Sequence, residues 1–493
     1  MNVSYIKLKD FFYQDSIISD IDNILQWDLS TMMPEHSRTQ RARQLCFLND
    51  VKHKMFSDPK VKDLFKKTNE KQLSFNDAKN FKEMKKKFNY FSALPSELIK
   101  KKTILSSECE GIWRKAKLQS NFSLVEQSLS DLIKIIREEA IILSDTFECS
   151  PYDALLRNYE DSYSSNEIEK LFKKLHPFIN DVYEKIIKKQ KKEEIFSILK
   201  NLSNDEQFNL SIYFMKRLGF NFKKGRIDQS CHPFCGGGID DIRITTRLNK
   251  NDSFAAFEAV MHETGHALYE QGLPKRWQFQ PVGKSGGMAL HESQSLFIEM
   301  QIMKSSGFQK FLSKTIKDKF KYTDESWSSG NLFKIFNKVQ KSFIRVESDE
   351  VTYPLHIILR FKIEQKIIKN EINTADIPQI WNYEFEKLFG FEVDNDANGC
   401  LQDIHWYAGL FGYFPTYTLG SLISAQLAAS MRNEIEDLDS KISDGRFKDI
   451  VLWLKKNIHS KGRFFSTEEI INQVTNQKLS DSFFKKYIVR KYL

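Results

Sequence analysis

The chain has 493 residues, 41% of them hydrophobic and 28% charged, with a formal net charge of +9 at pH 7. That length holds one large core or roughly two to three ordinary domains, the composition excludes a disordered chain, and the absence of any run of about 18 apolar residues excludes a membrane span. The positive charge is dispersed through runs such as "KEMKKKF" and "IIKKQKKEE", which mix acids or apolar residues with lysine at helical spacing, as solvated helix faces do and nucleic-acid-binding surfaces do not.

The opening stretch "MNVSYIKLKDFF" lacks the apolar core of a signal peptide. Six cysteines (Cys46, Cys109, Cys149, Cys231, Cys235 and Cys400) are too few for a disulfide framework in so long a chain, so a reducing, cytoplasmic setting is expected. Only 20 glycines and 11 prolines interrupt a sequence in which Lys, Glu, Leu, Ile and Phe recur every three or four residues, which predicts a mainly α fold. No linker or repeat divides it, and residues 1–493 read as one domain with no internal boundary.

The exception runs from Gly225 to Leu248, "GRIDQSCHPFCGGGIDDIRITTRL", where glycines cluster and Ile242, Ile244 and Thr246 share a face by period two. A short hairpin is predicted there, with an edge that could align a peptide backbone by strand addition. Cys231 and Cys235 flank His232 in "CHPFC", but no second cysteine pair completes a metal clip, and ordinary small residues are the simpler reading.

Next comes "VMHETGHALYEQG", Val260 to Gly272. Asn251, Asp252 and Ser253 offer an N-cap, Phe254, Phe257, Met261 and Leu268 form an apolar stripe, and Gly272 with Pro274 supplies a stop, so the stretch is helical. His262 and His266, four apart, then project from one face and can hold a single ion, with Glu263 in reach of a water beside it. Helix stability alone asks for none of this. After "VGKSGG", a second helix, "MALHESQSLFIEMQIM", offers His291, Glu292 and Glu299 as a third ligand. Glu292 and Glu299 are seven apart and share a face, so periodicity does not choose between them.

Five blocks in order complete the pattern: "DIRIT" (Asp241 to Thr245), "HETGH" (His262 to His266), "HESQ" (His291 to Gln294), "IRVESD" (Ile344 to Asp349) and "GCLQDIHW" (Gly399 to Trp406). With "QWDLSTMMP", "PYDALL", "GYFPTYTLG" and "WLKKNIHSKG" around them, the chain resembles, over nearly its whole length, the carboxypeptidase Taq family of zinc metallocarboxypeptidases. It departs at Ser348, where alanine is usual, at "NYEDSYS", which lacks the usual Pro-Gly, and at Tyr407, where a small residue is common and a large one could narrow the cleft.

The resemblance implies a large helical two-lobed body around a deep substrate groove, with a small β hairpin or sheet beside the metal helix. It implies a homodimer that removes single amino acids from peptides with a free C-terminus, and no nucleic-acid or membrane partner. It places Zn2+, for which Co2+ could substitute, on His262, His266 and Glu292, leaving Glu299 a supporting or packing role. Glu263 is then the general base for attack by zinc-activated water.

His405, Tyr413 and Tyr417 lie in matched blocks and are candidate donors to the developing oxyanion. Arg345, and after it Arg243, are candidates to read the substrate carboxylate, because a guanidinium fork distinguishes carboxylate from amide by charge and geometry. Asp241 and Asp349 could accept from the outer nitrogens of the metal histidines, or pair with Arg243 and Arg345. Two other readings are a helical zinc oligopeptidase or endopeptidase, which needs no free carboxylate, and a non-catalytic peptide-binding scaffold, in which Glu263 has no evident role.

Overall fold

In the computed structural model, which describes residues 2–230 and 232–493, helices dominate, and the single sheet among the described residues has three short strands. Local chemistry accounts for many helix starts. Ser164, Ser203 and Ser466 each cap a helix with the hydroxyl and donate their own amide to the carboxylate of a glutamate three residues on, which satisfies amide donors that the helix itself leaves free. The main apolar core extends from Cys109 to Tyr492, while the N-terminal helices gather a smaller cluster around Phe12, Phe56 and Phe81. No helix of the described residues is long and apolar enough to cross a membrane.

The sheet comprises β1 (Gly225–Gln229), β2 (Cys235–Gly238) and β3 (Asp241–Thr246), ordered β1-β3-β2. The β2–β3 pair is the predicted hairpin, turned at Asp240 in the left-handed region (φ 58°). Ile242, Ile244 and Thr246 are buried as the alternation predicts. The addition is β1, which lies parallel to β3. The first long helix, α1 (Val3–Thr31), covers β2: Asp20 lies against Gly238 and Trp27 near Gly236.

Five further helices build the site: α2 (Ala255–Gly272), α3 (Met288–Leu296), α4 (Tyr353–Ile368), α5 (Pro415–Glu434) and α6 (Asp481–Tyr492). Of the three candidate caps, Asp252 serves α2, its Oδ1 accepting from the amides of Phe254 (2.8 Å) and Ala255 (3.1 Å). Ser253 instead accepts from the amide of Leu202. Beyond α3 the chain continues as a π-helical segment, Phe297–Met303.

Two glycines let neighbouring helices close on α3. A Cβ at Gly265 would collide with the carbonyl oxygen of Gln294 and stand 2.5 Å from Ser295 Cα, and one at Gly420 would stand 2.8 Å from Glu292 Cγ. Gly265→Ala is therefore expected to destabilise the protein by about 1–3 kcal/mol, because the clash is with backbone that has no rotamer to yield. Denaturant unfolding checks this; an unchanged midpoint would show that the α2–α3 contact is looser than described.

Tyr407 does not narrow a cleft. It is fully buried, stacks on Trp113 with ring centroids 5.8 Å apart, and donates to the carbonyl of Cys400 at 2.9 Å. Burying the ring leaves no polar atom unpaired, because its hydroxyl finds a partner there.

Candidate metal centre

On α2, His262 and His266 sit one turn apart with ring centroids separated by 5.0 Å. The second helix brings Glu292 between them: its Oε2 is 3.3 Å from His266 Nε2 and 3.8 Å from His262 Nε2. One ligand atom from each of the three residues falls within 4.8 Å of the others. Glu299, seven residues beyond Glu292, faces a different atom. Its Oε2 accepts from His262 Nδ1 at 2.8 Å, which orients the ring so that Nε2, the nitrogen a metal would take once its proton is lost, faces Glu292.

Several buried ionisable groups crowd this point. Burial opposes a proton on His262, yet the carboxylates of Glu292, Glu299 and Glu263 hold its pKa up at about 10. Burial and the neighbouring His291 drive His266 down to about 4, so its ring is neutral and has a lone pair to offer. Burial pushes the Glu263 carboxyl up to about 7, with His262 pulling the other way and Glu292 adding to the rise. His266 Nδ1 is buried without a hydrogen-bond partner. Two imidazole nitrogens and one carboxylate oxygen are the kind of donor set that three-ligand divalent-metal sites use. The residues present fit such an ion.

Neither Asp241 nor Asp349 bonds to His262 or His266. Asp241 is gripped by Arg243 in the same strand, through Nε at 2.9 Å and Nη2 at 2.6 Å. Asp349 accepts from the amides of Gln340, Val351 and Thr352 and from the Thr352 hydroxyl, and so organises the turn before α4. Each carboxylate is satisfied within its own segment, leaving Glu299 as the partner of His262. The suggested clip at "CHPFC" includes Cys231, which lies outside the described residues; Cys235 lies in β2 and His232 is exposed.

A second cluster stands beside the His-His-Glu group. Arg345 is buried, its Nε (3.0 Å) and Nη2 (2.9 Å) on Asp403 Oδ1, its Nη1 donating to the Tyr353 hydroxyl at 2.9 Å, and its guanidinium carbon 4.7 Å from the centre of the Tyr417 ring. Arg360 takes the other oxygen of Asp403. Burial opposes ionisation of Asp403, but the two guanidiniums hold its carboxyl far below the usual range. Burial, with Arg345 and Arg360 adding to it and Asp403 opposing, lowers His405 to about 3, so its imidazole is neutral. His405 Nε2 lies 3.1 Å from the Tyr417 hydroxyl, and Tyr413 packs against both rings. Burial raises the phenol pKa of Tyr417, and the charges of Glu292 and Glu263 contribute. Tyr417 is three residues from Gly420, the contact point with Glu292, so α5 carries this cluster to the metal ligands.

The structure thus brings Arg345, His405, Tyr413 and Tyr417 together next to His262, His266, Glu263 and Glu292, whereas Arg243 sits on the sheet with Asp241 and over Trp27. Sequence reasoning passed over Asp403, Tyr353 and Arg360. The available signal for Asp403 was its place in the same block as His405, since buried arginines demand an anion. On the other side, His291 stacks on His266 (4.6 Å between centroids) and bonds Glu270 at 2.9 Å. Both of these residues, with Lys284 and the edge strand Gly236–Gly238, line a cleft of about 340 Å³.

The family model described as carboxypeptidase Taq (M32) metallopeptidase matches residues 7–492. Carboxypeptidase 1 of Bacillus subtilis is 32% identical over 486 residues, spanning 98% of this chain and 97% of the relative. Thermostable carboxypeptidase 1 of Pyrococcus furiosus is 31% identical, spanning 97% and 96%. The solved structure of Trypanosoma cruzi metallocarboxypeptidase 1 superposes with a TM-score of 0.97 at 30% identity, covering 100% of both chains. With the five motif blocks and the His-His-Glu cluster already in place, these matches show that the chain belongs to the carboxypeptidase Taq (M32) metallopeptidase family and is a metallocarboxypeptidase.

Proposed function

We propose that the chain acts as a single peptidase unit that removes one amino acid at a time from the C-terminus of peptides, with Zn2+ on His262, His266 and Glu292 and Glu263 as the general base. The observation that carries this is the convergence of those three ligand atoms with Glu263 beside them. Bound there, a divalent ion supplies Lewis acidity to the scissile carbonyl and acidity to the attacking water. Glu263 accepts the proton from that water and returns it to the departing amine, which leaves poorly unless protonated. Tyr417 donates to the carbonyl oxygen as charge develops on it; His405, donating through Nε2 to the phenol oxygen, leaves the Tyr417 proton free for that task.

Arg345, with donors remaining beyond those on Asp403 and Tyr353, reads the substrate carboxylate, and Tyr413 shapes the pocket beside it. Arg243, closed on Asp241, is the weaker candidate for that reading. The edge of β2 aligns the upstream backbone by strand addition along the cleft. The two-lobed groove, cytoplasmic location and homodimeric state implied by the motif blocks belong to the same proposal.

Metal removal tests this reading directly. Dialysis against a chelator is expected to abolish release of free amino acids, and Zn2+ or Co2+ to restore it. Hydrolysis that survives complete metal removal would sink the proposal. A comparison of two glutamates tests the ligand assignment: Glu292→Ala is expected to remove most bound metal. Glu299→Ala, which takes away only the support of His262, should weaken affinity by about 10–100-fold. Metal analysis giving the reverse order would move the site to Glu299.

A further inference from the structure

We propose that Lys304 is a positioning residue of the metal centre, clamping Glu299 so that Glu299 holds His262; the inference rests on the metal reading above. The two oxygens of the Glu299 carboxylate are divided between two partners. Oε2 accepts from His262 Nδ1 at 2.8 Å, and Oε1 lies 3.2 Å from Lys304 Nζ. The carboxylate therefore cannot turn away from His262 without leaving the ammonium, and both groups are largely buried (side-chain exposure 16% for Glu299 and 9% for Lys304).

The backbone explains how a lysine five residues on meets Glu299. In an α-helix the residues stacked above Glu299 would be Ile302 and Met303. Here the amide of Lys304 bonds to the carbonyl of Glu299 at 3.0 Å, an i→i+5 closure of the π-helical segment, which brings Lys304 round to the same face. Partners from elsewhere hold that wide turn. Asn337 Nδ2 donates to the Lys304 carbonyl at 3.1 Å, and the Tyr487 hydroxyl of α6 lies 2.9 Å from the Met300 carbonyl oxygen. Tyr487, Lys491 and Tyr492 converge on Glu350. Glu258, Glu299 and Glu350 are the acids acting on Lys304, and Glu258 lies one turn before His262 on α2.

A buried ammonium is a poor way to stabilise a helix contact, since an apolar residue of similar volume commonly does as well or better. Its position is better explained by what it does to Glu299. Partners of this kind commonly govern metal affinity by fixing the orientation and basicity of the ligand imidazole.

The test measures the Zn2+ dissociation constant of the full chain by competition with a chromophoric chelator. Lys304→Met is expected to weaken Zn2+ binding by about 10–100-fold, and Lys304→Arg to restore most of it by keeping a cation on Glu299. Lys491→Met removes a cation that contacts Glu350 and Tyr487 but makes no direct contact with Glu299, and should lose clearly less Zn2+ affinity than Lys304→Met. Should Lys304→Met fail to fold because it leaves the acids uncompensated, the double variant Glu258→Gln with Lys304→Met restores the charge balance and is expected to show the same loss. A folded Lys304→Met protein, or a folded double variant, that binds Zn2+ normally would overturn the inference, as would an equal loss in Lys491→Met. A wild type that fails to bind Zn2+ would overturn the metal reading and this inference together.

Discussion

Glu263→Gln is expected to retain its metal and to lose at least about a hundredfold in turnover. Glutamine keeps the size of the side chain and much of its hydrogen bonding but cannot take up a proton. The metal stays because Glu263 is not among the three ligand atoms that converge on the site. Burial, opposed by His262, raises its carboxyl pKa to about 7, a direction that suits a group expected to take up a proton and give it back. Metal analysis and single-turnover hydrolysis on the same preparation separate the two effects. Near-normal hydrolysis in a metal-replete variant would remove Glu263 from the mechanism.

Arg345→Ala is expected to cost about 2–4 kcal/mol in transition-state binding of a free-acid peptide, which is about thirty- to a thousandfold in kcat/KM. The corresponding C-terminal amide, which never made the charge-assisted contact, should be almost unaffected. The fold should survive because Asp403 keeps Arg360 as a partner. Arg345→Lys should recover only part of the loss, since a point charge replaces a planar fork already set between Asp403, Tyr353 and the Tyr417 ring. If the preference for free acid survives Arg345→Ala, the reading of the carboxylate passes to another cation, with Arg243 the next to test.

Legibility followed the range of the interactions. The helix carrying His262, Glu263 and His266 could be read locally, because the spacing of its apolar residues, the acid at its start and the glycine at its end are properties of neighbours in sequence. The choice between Glu292 and Glu299 was not local. Both share a face in an ideal α-helix, and only the π-helical turn after Leu296, which no proline or glycine announces, turns Glu299 to the outer nitrogen of His262 while Glu292 faces the inner ones. Pairings between distant segments were the least visible. Arg345 and Asp403 are 58 residues apart, and Asp349 looked a closer partner for Arg345 until its oxygens proved to be filled by the turn that contains it. β1 joins β3 in parallel across the intervening β2, a pairing that alternation within one strand does not reveal.

Hydrolysis of only the last peptide bond, governed by a free carboxylate, is the activity expected of this site. The most direct measurement incubates the Zn2+-loaded protein with one unmodified peptide and its C-terminal amide, and follows product masses with time. A ladder of single-residue losses from the free-acid peptide is expected, with an amide that stays essentially intact. Internal cleavage, or equal rates on acid and amide, would contradict it and point to an oligopeptidase built on the same metal centre.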